Sequence, residues 1–225
     1  MIDFWASIWE NLPDWGPQML VAAGQTLKLT AASFVLAVAF GIVVALLRLS
    51  PLAPVRWFAI VFIEVGRGMP ALVILFLIYF GLPAVVPWLE FNSFTAAVVG
   101  LGLQGAAVLA EIFRAGIEAL DRGQREASLS LGLTPAQTMR DVMAPQAIRI
   151  VLPPVGNYLI GLLKDTAIAS IIAAPELMLR AKDLASSSFL PMQLYVLAAI
   201  IYFAMSYPLS LLLRRLESKL AIHQH

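Results

Sequence analysis

The run Leu29–Leu47, LTAASFVLAVAFGIVVALL, contains neither a charge nor a proline. Its 19 residues, wound as an α-helix, reach ~28 Å, about the thickness of a bilayer's hydrocarbon core. The sequence on either side repeats this character. A first span is expected over residues 20–47, a second over 57–80, a third over 94–116, a fourth over 148–172 and a fifth over 192–213. Proline-containing joints, SPLAP, GLPAVVP and FLP, punctuate them. The whole chain agrees: 60% of its 225 residues are hydrophobic, 13% are charged and the mean hydropathy is +0.86. A soluble domain holds about 45–50% apolar and about 25% charged residues. The expected fold is an all-α membrane protein, one transmembrane domain over residues 1–225 with five membrane-crossing helices.

The same composition excludes several kinds of chemistry. A net charge of +1 gives no global field for nucleic acid. There is no cysteine, so disulfides, iron–sulfur clusters and thiol catalysis are out. The two histidines, His223 and His225, stand at the C-terminus, which excludes imidazole chemistry and a histidine metal site within the spans. Residues 1–19 carry Asp3 and Glu10 but no Lys or Arg, unlike a cleaved signal peptide. Trp5, Trp9 and Trp15 suggest instead a leader lying in the headgroup layer.

An odd number of spans places the termini on opposite sides. With the N-terminus outside, the inner segments hold ten Lys or Arg residues and the outer segments only Arg180 and Lys182. Positive charge is retained on the cytoplasmic side. The stretch Glu126–Pro145, EASLSLGLTPAQTMRDVMAP, is then cytoplasmic. Over 121–145 the expectation is a helix–turn–helix. Asp121 caps a first short helix with Gln124 at its third position, and Gly132 ends it in the left-handed conformation. Thr134, Pro135 and Gln137 open a second short helix through a capping box.

These residues match a known pattern. Glu126-Ala127-Ser128, three residues, Gly132, nine residues, then Val142-Met143-Ala144-Pro145 keeps the spacing of the cytoplasmic EAA motif of binding-protein-dependent permeases from ATP-binding cassette (ABC) importers. Ser128, Val142 and Ala144 depart mildly from it. GQTLKLT (24–30), EVGRGMPALVILFLIYFGLP (64–83), LAEIFRAGIEALDRGQREA (109–127) and APQAIRIVLPPVGNYLIGLLKDTAIAS (144–170) resemble, in order, the polar amino acid uptake permeases. The resemblance covers residues 20–180. It implies a permease subunit in a bacterial inner membrane, paired with an identical or paralogous permease and working by alternating access. Residues 121–145, with Glu126, Ala127, Gly132, Thr134, Pro135 and Pro145, would dock on an ATPase subunit dimer that binds ATP and Mg. An external binding protein would deliver an amino acid. The chain itself has no Gly-Lys dipeptide and so no phosphate-cradling P-loop; neither enzyme activity nor a cofactor of its own is expected.

Ionisable residues at membrane depth are candidate functional groups. Lys164 and Asp165 are adjacent on a helix and point about 100° apart, so each needs another partner. Asp165 suits the ammonium of an amino acid, with Asn157 or Thr166 meeting its polar groups. Lys164 is open to the same path or to an ion pair with Glu111. Glu64 and Arg67, spaced i,i+3, are expected to pair, with Gly68 and Pro70 kinking the second span into a tilted helix or a gate. Glu111, Arg114, Glu118 and Arg122 form one stripe, and Tyr195, Tyr202, Met205 and Tyr207 read as packing. An ion-coupled secondary transporter or channel is the alternative; it lacks the internal repeat usual for that class.

Overall fold

The computed structural model describes residues 4–221, so Asp3, His223 and His225 lie outside it. Every regular element among the described residues is helical. In chain order these are α1 (Phe4–Arg48), α2 (Ala53–Gly68), α3 (Ala71–Phe76), a π-helical turn (Leu77–Gly81), α4 (Leu82–Val85), α5 (Ser93–Glu118), α6 (Arg122–Ser130), α7 (Pro135–Gln137), a second π turn (Thr138–Met143), α8 (Ala144–Asp165), a 3-10 segment (Thr166–Ile172), α9 (Leu177–Ser188) and α10 (Pro191–Ala221). Four helical stretches are long and apolar enough to cross a membrane. A fifth is obtained if α2 and the α3–α4 stretch are one span, but that pair is bent by 109°.

Three expectations change here. The leader is not a separate segment: α1 begins at Phe4 and runs 45 residues, ~68 Å of helix, about twice a hydrocarbon core. Pro13 and Pro17 lie inside it and withhold two N–H groups, so the carbonyls of Trp9 and Pro13 lose their helical donors. Packing across the prolines carries the helix through. Trp15 is only 5% exposed and sits against Ala185 and Leu194, and the buried Ser7 accepts a bond from Gln193 Nε2 at 3.3 Å. Trp5 and Trp9 remain exposed.

The second change is at the fourth span, which does not start afresh near residue 148: the helical path is continuous from Pro135 to Ile172. The π turns explain the continuity. A proline ring collides with the carbonyl four residues earlier. For Pro145 that residue is Asp141, and for Pro83 it is Tyr79; each lies within a π turn. The wider turn relieves the collision and lets the helix pass a proline unbroken. The third change is α9, a helix in the segment between the expected fourth and fifth spans. Its buried Leu177, Ala181 and Ala185 are spaced one turn apart.

The described residues form two compact units. One comprises residues through Leu36, Met69–Gly102 and Leu159–Leu211. Its core sets Met19, Ala22 and Ala23 of α1 against Leu177, Ala181 and Ala198. The other comprises Ala37–Gly68, Leu103–Tyr158 and the residues from Leu212 onward. Its core joins Val44, Ala45, Ala59, Ile63 and Ala110. Small residues dominate both, as expected where lipid offers apolar contact everywhere and close backbone approach supplies the attraction. At Gly66 a methyl group would stand 2.6 Å from the Ala107 Cβ, so this α2–α5 contact admits only glycine. Leu20, Val35, Phe58 and Phe203 point outward, suited to a lipid solvent.

Candidate functional site

The 121–145 segment is built by its caps. Asp121 Oδ1 accepts the Gly123 N–H at 2.7 Å and starts α6; the bond goes to the second helical position, one short of Gln124. At the other end Gly132 adopts φ +85°. The Leu133 N–H bonds to Ser128 O at 3.2 Å and the Gly132 N–H to Leu129 O at 3.0 Å, the two bonds of a Schellman motif. Two residues on, Thr134 Oγ1 accepts the Gln137 N–H at 3.3 Å, and Gln137 Oε1 accepts the Thr134 N–H at 2.9 Å, with Pro135 at the first helical position. Two caps separated by one residue leave the turn little freedom.

Glu126, Ala127, Pro135 and Gln137 face outward from it, as does Leu131 at 84% exposure. Beneath lies a cavity of 590 Å³ lined in part by Glu118, Arg125, Thr138 and Met143. The Thr138 hydroxyl is buried at 2% exposure and has no hydrogen-bond partner among the described residues. Pro145 is exposed just beyond the π turn.

The membrane charges divide into engaged and open groups. Arg114 is engaged: it forms ion pairs with both Glu111 and Glu118, including a bond from Nε to Glu111 Oε2 at 3.0 Å. Glu111 is therefore taken by its own helix neighbour one turn away. Lys164, Asp165 and Asn157 are exposed on α8, and neither Lys164 nor Asp165 has an ion-pair partner among the described residues. Thr166 turns the other way: it is buried and donates to Leu163 O at 2.7 Å, so it is not available on that outer face. Glu64 and Arg67 are both exposed and do not pair with each other; an i,i+3 pair in water gains little from meeting. Gly68 ends α2 and Pro70 precedes α3, at the 109° bend.

One buried acid escaped the sequence reading. Glu176 is 2% exposed and caps α9, accepting the N–H groups of Met178 (2.8 Å) and Leu179. Tyr202 donates to Oε2, the oxygen that also accepts the Met178 N–H, at 2.6 Å, so Tyr202 is more than packing. Beside them Thr26 Oγ1 accepts the Leu177 N–H at 2.9 Å. Burial pushes the Glu176 carboxyl above its ordinary range; Tyr202, the two N–H groups and the Lys182 charge oppose that rise. The available signal was Pro175-Glu176 ahead of apolar residues at helical spacing, but Glu is not a favoured N-cap and Tyr202 is 26 residues away.

Comparison with known proteins covers nearly the whole chain. Residues 37–222 match the family model described as binding-protein-dependent transport system inner membrane component. A probable amino-acid ABC transporter permease of Bacillus subtilis (strain 168), YckA, is 41% identical over 91% of this chain and 90% of its own. The glutamine transport system permease GlnP of Escherichia coli (strain K12) is 36% identical over 97% and 98%. A solved structure described as an amino acid ABC transporter with histidines superposes with a TM-score of 0.88, at 38% identity, over 97% of this chain and 99% of its own.

Proposed function

The chain belongs to the inner-membrane components of binding-protein-dependent transport systems, and from that membership we propose that it is a permease subunit of an ATP-driven importer of a polar amino acid. It is a multi-pass protein of the inner membrane, and its apolar helices fit that setting. The comparisons lend no support to an ion-coupled secondary transporter. In the proposed assembly two permease subunits line the path, an ATPase pair binds ATP and Mg, and an external binding protein hands over the substrate.

The observation that carries the mechanism is the capped turn at 121–145. A rigid, polar segment that holds Leu131 out at 84% exposure has the form of a docking surface, since an exposed apolar side chain on a pinned backbone gains by being covered. Movement of the ATPase pair would enter the membrane through this segment. It would travel directly into α8, because the helical path from Pro135 is continuous. The open residues of α8, Asp165 and Asn157, are the candidates for the substrate's ammonium and polar groups, with Lys164 beside them.

The test is copurification. The affinity-tagged chain, extracted from its native membrane, should bring an ATPase subunit with it, and the reconstituted assembly should import an amino acid only with ATP inside and a liganded binding protein outside. Uptake by the chain alone on an ion gradient would contradict the reading.

A further inference from the structure

A cavity of about 450 Å³ opens between the first part of α1 and the start of α9. Its size falls in the ~300–1,000 Å³ range of small-molecule sites. Five polar residues line it: Gln18, Gln25, Glu176, Arg180 and Asp183. Arg180 and Asp183 stand one turn apart on α9 and do not pair with each other. Instead Arg180 Nη2 reaches across to Gln18 Oε1 at 2.6 Å. The Asp183 carboxylate and the Gln25 amide have no hydrogen-bond partner among the described residues. The buried Glu176 is already occupied by Tyr202 and two N–H groups, so it forms the floor and is not a free ligand.

The placement of charge is the second observation. By the Lys and Arg count, Arg180 and Lys182 are the two basic residues on a side otherwise depleted of them. Both are held in place: Lys182 Nζ donates to Ser170 Oγ at 2.8 Å, and Arg180 is fixed by Gln18. Charge retained and oriented against the general bias indicates a specific counter-charge to meet.

Resting on the reading of this chain as an amino acid permease, we propose that the α1–α9 cavity is a second site for a free, zwitterionic α-amino acid. Arg180 takes the carboxylate, exchanging Gln18 for it, and Asp183 takes the ammonium. The side chain lies over Val21, and Gln25 offers an amide to its polar end. A guanidinium and a carboxylate one turn apart match a ligand that carries both charges on one carbon. An amine without the carboxylate, or an acid without the ammonium, leaves one of them unmet.

The absence of native cysteine makes the test direct. With Gln25→Cys as the sole thiol of the chain, the assembly is reconstituted in vesicles without binding protein. Maleimide labelling is then timed with each thiol-free protein amino acid, and with a matched amine and a matched carboxylic acid. At least one amino acid should slow labelling severalfold, and neither single-charge analogue should. R180Q and D183N should each raise the half-protecting concentration about tenfold or more, the fold-change of one lost charge-assisted bond, while R180K keeps part of the protection. Unliganded labelling at the parent rate in these variants shows that the cavity still forms. The proposal is overturned if no amino acid protects, if the analogues protect equally, or if protection survives both R180Q and D183N. ATP-driven uptake in the same vesicles bears separately on the transport reading, since protection needs no turnover.

Discussion

At the scale of single residues, the chain separates charges that hold the structure from charges left open. Glu176 belongs to the first group. Glu176→Ala removes the α9 cap and leaves the Tyr202 hydroxyl without its acceptor, at a cost of roughly 2–4 kcal/mol. Its melting midpoint in detergent should fall well below that of the parent, with Tyr202→Phe falling less because the carboxylate keeps both N–H donors. Equal midpoints for all three proteins would contradict the assignment. Asp165 belongs to the second group. Asp165→Asn should leave assembly intact and reduce uptake about tenfold to a hundredfold, the range of a lost charge-assisted bond of ~1.5–3 kcal/mol. Unchanged uptake kinetics would return Asp165 to a structural role. Sequence spacing alone could not make this separation. Glu64 and Arg67 have the same i,i+3 spacing as Glu111 and Arg114, yet only the second pair is joined. What differs is exposure, which depends on neighbours distant in the chain.

Among the elements, local chemistry was the most legible. The Thr134–Gln137 capping box and the left-handed Gly132 each rest on bonds spanning three to five residues, which a sequence displays directly. The continuity of the second short helix with α8 was not legible, since Pro145 reads as a break unless a π turn absorbs it. α9 was missed because its buried face is made largely of alanine, a weak hydrophobic signal. Gly132 provides the test at this scale. A side chain there would meet nothing within 4 Å, so the cost of Gly132→Val is conformational, about 1 kcal/mol or more. Membrane insertion should persist, while uptake and binding-protein-stimulated ATP hydrolysis both fall; Thr138→Ser should do little. Normal stimulated hydrolysis in Gly132→Val at parental expression would remove the docking role of this turn.

For the molecule as a whole, the apolar runs located the crossing helices, and the charge count gave an orientation that labelling can check. Ser7 is buried at 3% exposure and is a poor probe, whereas Glu10 and Ala136 are exposed. Cysteines placed singly at Glu10 and Ala136 should react from opposite sides of intact cells, with Glu10→Cys outside. Labelling of both from outside would contradict the five-span scheme. The span count was less legible than the class. Hydropathy treats residues 57–80 as one span, and Gly68 with Pro70 marks a kink within it, but only the backbone reveals that the bend reaches 109°.

The π turn at Thr138–Met143 sets an angular phase between what lies before it and what lies after. Each residue of an α-helix advances the direction of its side chain by ~100°. A turn that closes one residue late therefore offsets the face of Pro135–Gln137 from the face of α8 by about that angle. Removing the exposed Arg140 would take out the one residue this turn absorbs, so the two faces would keep their relative heading while the Pro145 ring meets the Asp141 carbonyl again. The helical path into α8 would then bend at that point, with every side chain of the capped turn still present. Deletion of Arg140 should abolish stimulated ATP hydrolysis where Arg140→Ala leaves it intact, as measured on the reconstituted assembly.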